Sequence, residues 1–261
     1  MNGDKIRAIV DKEIADARKN KMIVLSMLIL PILLVGTVLG TSFFMVRDGG
    51  ELDEDDMGII PAELRDIDPM HAFLMIMNDQ YLFYFLLIPM MMPVYIAAYS
   101  IVGEKETKSL EPLLATPISV GELLVAKSAA AVVPSVILTW LSFVVLLIGS
   151  YFIMPGPVLQ AMIRPVWLVG MALLSPLLAL LSVFCGIIAS SRINDPRVAQ
   201  QVAGIFVIPI IGMSLVVIAG KIFLSVGVML MTAAITLAVD CAVLYVAVRL
   251  FRRETILTRW K

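Results

Sequence analysis

Six apolar stretches, each long enough to cross a lipid bilayer, constrain this chain more than any other feature. A hydrocarbon core about 30 Å thick needs about 20 helical residues. Residues 22–46, 81–101, 128–153, 166–189, 198–220 and 222–248 all meet that length. Lipid offers no partner to backbone N–H and C=O groups, so such spans fold as α-helices. A β-barrel would show short alternating segments instead. Proline stands inside these stretches at Pro31, Pro89, Pro93, Pro134, Pro176 and Pro209, which predicts kinked helices packed on one another. The expected fold is an all-α polytopic membrane protein with six transmembrane helices, one domain over residues 1–261, and no sizeable soluble part. Composition agrees: 60% of residues are hydrophobic and 16% charged, against about 45–50% and about 25% in soluble domains.

A net charge of −1 gives no electrostatic case for a nucleic-acid partner. The distribution of basic residues is more informative. Sixteen Lys and Arg fall on the termini and the two loops at 102–127 and 190–197, and four fall on the opposite loops. Positive residues accumulate on the cytoplasmic side. Both termini and the 102–127 segment are therefore expected in the cytoplasm, with the chain in the plasma membrane. The first apolar run is too long for the core of a secretory signal. Ahead of it, Ile6, Ile9, Val10, Ile14 and Ala17 share one helical face within residues 1–21. Such a helix lies in the membrane interface or packs on the protein's own cytoplasmic surface.

The outer loop, 47–80, carries ten carboxylates, six of them in "DGGELDEDD". Read as a calcium loop from Asp53, it has Asp55 and Gly58 in place. Met57 and Leu64, however, occupy two ligand positions, so a solvated acidic loop is the expectation. Asp68–Pro69 is a helix start, with "MHAFLMIMNDQ" expected as a short helix on the outer surface. Cys185 and Cys241 sit in apolar runs and read as small core residues. A single histidine, His71, leaves no His-based metal site.

Between the second and third spans lies "VGEKETKSLEPLLATPISVGELLVAK", residues 102–127, charged and turn-rich between apolar neighbours. Glu104 precedes Lys108 by four, a favourable helical pairing that extends the second span beyond the membrane. Pro112 interrupts that helix. Leu110, Leu113 and Leu114 share a face of a short helix that Thr116–Pro117 closes. Ser119 and Glu122 then match a capping box ahead of the third span. The leucine face suits a soluble partner, with Glu104, Glu106, Lys108 and Glu111 as a polar rim; packing against the chain's own bundle is the alternative.

The stretch resembles the first cytoplasmic loop of ATP-binding-cassette (ABC) type-2 exporter permeases. The resemblance rests on Gly103–Glu104–Lys105–Glu106, then Ser109–Leu110–Glu111–Pro112–Leu113–Leu114, then Thr116–Pro117–Ile118–Ser119 and the trailing "GELLVAK". It implies a coupling helix around 109–117 seated in a groove of a separate ATPase subunit. The coupling residues would be Glu104, Glu106, Lys108, Leu110, Glu111, Leu113, Leu114 and Pro117. It also implies a second permease chain, identical or paralogous, with ATP and magnesium bound on the ATPase and no cofactor here. One departure is that only 219–222 separate the last two spans, where many relatives insert a re-entrant segment.

Catalytic motifs point the same way. Gly220–Lys221 is followed by Ile222, which does not complete a phosphate-binding loop, and no HExxH occurs. The expected function is the permease subunit of an exporter, not an enzyme. A membrane scaffold that recruits an ATPase is the alternative, and an intramembrane enzyme a lesser one. Asp240 is the one acid deep in a predicted span, roughly 13 Å from its cytoplasmic end at about 1.5 Å per residue. Intramembrane acids are costly. Asp240 reads either as a contact for substrate or protons, or as a structural hydrogen-bonding group. Asp195–Pro196 opens the fifth span; Arg192 and Arg197 either simply satisfy the positive-inside bias or touch lipid phosphates or the ATPase.

Overall fold

Asn20 separates the first two helices, α1 (Gly3–Lys19) and α2 (Lys21–Asp48). Its side-chain oxygen accepts the Ile23 N–H at 3.4 Å and its carbonyl accepts the Val24 N–H at 3.1 Å, which satisfies the first turn of α2. Asp68 does the same for α3 (Pro69–Glu106), accepting from the His71 N–H at 3.3 Å. At the start of α4 (Val120–Ile153) the capping box is complete. The Glu122 N–H donates to Ser119 Oγ at 3.2 Å, and the Ser119 N–H donates to Glu122 Oε2 at 3.0 Å.

This computed structural model describes residues 3–48, 60, 64, 66–106, 119–193, 195–218 and 224–250. After α4 come α5 (Gly156–Met162), α6 (Pro165–Val169), a π-helical turn (Gly170–Leu174) and α7 (Ser175–Arg192). Then follow α8 (Pro196–Gly204), a 3₁₀ turn (Ile205–Val207), α9 (Ile208–Ile218) and α10 (Val226–Leu250). Asp195 accepts the Arg197 N–H at 2.7 Å to open α8, and Ser225 Oγ accepts the Val228 N–H at 3.3 Å to open α10.

Among the described residues, five stretches are long and apolar enough to cross a membrane: Ile23–Arg47, Pro69–Glu104, Gly121–Ile153, Gly156–Ser190 and Val226–Arg249. The remaining expected span, 198–220, is divided between α8 and α9. Pro209 has no N–H for the Ile205 carbonyl, and the Ile208 N–H turns back to that carbonyl, tightening the chain into the 3₁₀ turn. Residues 219–223 lie outside the described ones. A second difference concerns "MHAFLMIMNDQ". It is no separate surface helix but the first part of the 38-residue α3. Ala72, Leu74 and Met75 are buried there, so its apolar face continues into that of the span.

The core forms around α3 and the α5–α7 stretch, while α2, α4 and α10 present broad exposed apolar faces. In a bilayer those faces meet lipid. Trp167 is fully buried, stacked on Phe143 at 5.4 Å between ring centroids and edge-on to Phe85 at 6.3 Å. The most extensive helix contact is between α3 and α7. It is close because Gly186 has no side chain: a Cβ there would stand 3.3 Å from Ala97 Cβ and 3.6 Å from Val94 Cα. Ser182 of α7 donates its hydroxyl to the Met90 carbonyl, beside the prolines at 89 and 93 that interrupt the ladder of α3. At the outer end, Arg164 ties α6 to α3 through Asp79, with Nη2 to Oδ1 at 2.5 Å.

The π turn has its own account. The Ser175 N–H bonds to the Gly170 carbonyl, five residues back. This leaves the Met171 carbonyl without its usual backbone donor, and Pro176 has none to offer. Ser175 Oγ donates to Met171 O at 2.5 Å and Trp140 Nε1 of α4 donates at 2.8 Å. A helix defect is thereby converted into a tie between α4 and α7. Both cysteines are free. Cys185 is buried as expected, but Cys241 is exposed, because the buried stripe of α10 runs through Met229, Ala233, Thr236, Asp240 and Ala247.

Candidate functional site

The face of α1 that packs inward contains Ile6, Ile9, Val10, Glu13, Ile14 and Ala17. Ile9 meets Leu123 and Ala126 at the start of α4, with Ile6 and Val10 packed around them. Glu13 falls four residues after Ile9 and three after Val10, so helical spacing carries a carboxylate into this apolar seam.

Lys127 of α4 receives it. The Lys127 ammonium lies 3.0 Å from Glu13 Oε1, 2.9 Å from Glu104 Oε2 near the end of α3, and 2.5 Å from Ser100 Oγ. The contacts to Glu13 and Ser100 are hydrogen bonds, and that to Glu104 Oε2 is an ion pair without hydrogen-bond geometry. Lys12 lies 3.1 Å from Glu104 Oε1 and 3.4 Å from Glu13 Oε1. The four charges, two of each sign, cancel. Glu13 and Lys127 are each 5% exposed and Glu104 6%, whereas Lys12 reaches solvent. An open cleft of about 360 Å³ flanks the cluster, bounded by Asp16, Asn20, Tyr99 and Gly103.

Electrostatics follow from this packing. Burial alone would raise the Glu13 carboxyl. Lys127, a hydrogen bond from Ser100 and Lys12 outweigh it and hold Glu13 below the ordinary carboxylate value. Burial would likewise lower Lys12, but Glu104 and Glu13 raise it above the ordinary lysine value. A depressed carboxyl stabilises the fold above its unfolded pKa and loses that contribution as pH falls through the folded value. A raised lysine contributes fully below its unfolded pKa and loses its contribution as pH rises through the folded value. The seat of α1 is therefore firmest between the two ranges. Acidification below about pH 4 is expected to loosen α1 before the spans unfold. A nitroxide on Ala8→Cys, an exposed α1 position, in a Cys241→Ser background should show increased mobility there and not at pH 7. An unchanged spectrum across that range would contradict the account.

A second buried charge stands in α10. Asp240 is 4% exposed, on the stripe that packs against α7, and neither carboxylate oxygen has a hydrogen-bond partner among the described residues. The hydroxyls one and two turns earlier are already engaged: Thr232 donates to the Val228 carbonyl and Thr236 to the Thr232 carbonyl.

The family profile described as ABC-2 family transporter protein matches residues 7–241, nearly the whole chain. This chain belongs to the ABC-2 transporter family. It is thus a multi-pass membrane permease component of an ABC transporter, and membership implies an ABC ATPase subunit as partner. No individual curated protein matches the permease.

The permease's expected coupling residues are distributed unevenly over what can be described. Glu104 faces inward onto Lys127 and Lys12, not outward as part of an exposed rim. Glu106 is the last residue of α3. Lys108, Leu110, Glu111, Leu113, Leu114 and Pro117, and with them the coupling helix, lie outside the described residues, as does most of the acidic outer loop. Arg197 is exposed. Sequence reasoning missed Glu13 and the role of Lys127. The available signal was an acid at the centre of an otherwise apolar helical face, which needs a buried cation.

Proposed function

We propose that this permease is the membrane subunit of an exporter in the plasma membrane, with both termini cytoplasmic. Two permease chains, identical or paralogous, work with two ATPase subunits that carry ATP and magnesium. The segment 104–119 docks on the ATPase through Leu110, Leu113 and Leu114, and nucleotide-driven motion there rocks the spans to move cargo outward.

The observation that supports this reading most is the Glu104–Lys127 clasp. Glu104 lies two residues before α3 ends, and Lys127 lies in the second turn of α4. These two helices carry the proposed coupling segment. Tied at its base by a buried ion pair of 2.9 Å, they move together when the segment is pushed, and Glu13 adds α1 to the same unit. Without such a tie, force on a loop would be dissipated in fraying of the helix ends. The positive-inside distribution supports the orientation, and the missing phosphate loop supports a separate ATPase.

Co-purification tests the reading. The permease is expected to retain the ATPase encoded beside it. Leu113→Glu, which places a charge in the docking face, should lower the recovered ATPase at least tenfold while permease yield stays unchanged. Undiminished recovery would overturn the docking assignment. A complex that forms but whose ATPase rate answers no transported compound would make the chain a scaffold.

A further inference from the structure

We infer that the cleft between α1 and the adjoining ends of α2 and α3 holds a phospholipid headgroup that carries both a phosphate and a primary ammonium, an ethanolamine phosphodiester. The cleft lies at the level of the membrane surface. Ile23, in its lining, begins one membrane-crossing stretch, and Glu104, also in its lining, ends another. This placement depends only on where the spans end. The lining changes character over a short distance. Ala17, Ile23 and Ile96 form an apolar part, packed with Tyr99 in one cluster. Lys12, Asp16 and Asn20 form a polar part. An amphipathic wall at that depth suits a molecule with a charged head and a hydrocarbon body.

The charges select the headgroup. Lys12 and Asp16 are four residues apart on α1, a spacing at which a lysine and an aspartate can pair. Here they do not. Glu104 and Glu13 accept two of the three N–H donors of Lys12, which leaves the third for a phosphate oxygen. Lys12 is half-exposed and so within reach of a ligand. Asp16 is exposed and has no ion pair among the described residues, which makes it an acceptor for an ammonium. The two positions are offset by roughly 6 Å along the helix axis at about 1.5 Å per residue, within the reach of a phosphate and an ammonium joined by two carbons. Other headgroups lack this match. A glycerol phosphate brings a negative charge and no ammonium to a cleft lined by Glu13, Asp16 and Glu104, with Lys12 as the one base among the described residues. A choline has no N–H to donate to Asp16, and a serine headgroup adds a carboxylate beside those acids. None of this involves the ATPase, so the site stands or falls apart from the export reading.

Native mass spectrometry of the purified full-length permease tests this, with phosphatidylethanolamine, phosphatidylcholine and phosphatidylglycerol of identical acyl chains added in detergent. Retention of the ethanolamine lipid is expected to exceed that of either other lipid at least fivefold. Asp16→Asn, a change at an exposed side chain, should bring it down to the choline value. Ala17→Phe, which leaves every charge in place and fills the cleft, should do the same. Asp11→Asn, at an exposed α1 acid outside the cleft lining, should leave the preference intact. Equal retention of the ethanolamine and choline lipids, preferential retention of the glycerol lipid, or an undiminished preference in Asp16→Asn would overturn the site. Displacement of the bound lipid by an equal concentration of glycerophosphoethanolamine would overturn the assignment to a membrane lipid.

Discussion

Replacing Lys127 with methionine is expected to destabilise the folded permease by about 3–5 kcal/mol, the usual effect of removing one partner from a buried ion pair. The methionine fits the aliphatic path of the lysine, so lost volume is a small part of the effect. What remains is two buried carboxylates, Glu13 and Glu104, facing one another with only the half-exposed Lys12 to balance them. Thermal unfolding in detergent measures the loss. The double variant Glu13→Gln/Lys127→Met leaves one acid and one lysine and should recover a substantial part of the stability. Coupling energies within such networks run about 0.5–3 kcal/mol. ATPase stimulation is a separate readout. If the clasp transmits force, Lys127→Met should reduce stimulation even at temperatures where the fold is intact. A variant that melts as wild type does would mean that water already solvates the cluster.

Gly186→Leu is expected to cost about 1–3 kcal/mol, the usual range for overpacking a closed helix contact. Gly186 faces α3 across the largest helix interface, with Ala97 Cβ 3.3 Å and Val94 Cα 3.6 Å from where its own Cβ would be. A backbone atom cannot rotate aside, so α7 must shift away from α3. That shift would also stretch the hydrogen bond from Ser182 to the Met90 carbonyl. Gly186→Ala makes a graded control. Its methyl requires a displacement of a few tenths of an ångström, and alanine's better helix propensity, about 0.5–1 kcal/mol over glycine, offsets much of the strain. Combining Gly186→Ala with Ala97→Gly should restore the spacing. The fraction of monodisperse protein and the melting temperature should rank Gly186→Ala above Gly186→Leu, and the reverse order would contradict the packing account.

Much of the architecture was legible because lipid enforces simple rules. Stretches of about 20 apolar residues must be helices. The helix starts at Asp68, Ser119 and Asp195 were equally readable, because a short polar side chain before a helix has a local task that needs no tertiary partner. Local rules failed where the outcome depended on a neighbour. The outer part of α3 reads as a surface helix until Ala72 and Leu74 are seen inside the bundle. Within the 198–220 stretch, the break at Pro209 and the Ile205–Val207 turn that takes it up were not read from spacing alone. That Glu104 also meets two lysines distant in sequence could not be read locally, while its expected partner Lys108 lies outside the described residues.

The sequence by itself determined that the chain is helical, membrane-spanning and without a phosphate-binding loop, and it carried the charged segment that resembles a coupling loop. These properties depend on hydropathy, spacing and residue type along a single line. Only the tertiary structure decided which charges are buried together. Glu13, Ser100, Glu104 and Lys127 are separated by up to 114 positions, and no periodicity links them. They meet because the apolar face of α1 must be covered by α4, and that packing brings an acid and a lysine to the same dry place. Asp240 illustrates the complementary case. Its depth in a helix could be counted from the sequence, but that neither of its oxygens has a partner among the described residues, with Thr232 and Thr236 bonded to backbone carbonyls, became visible only in the structure.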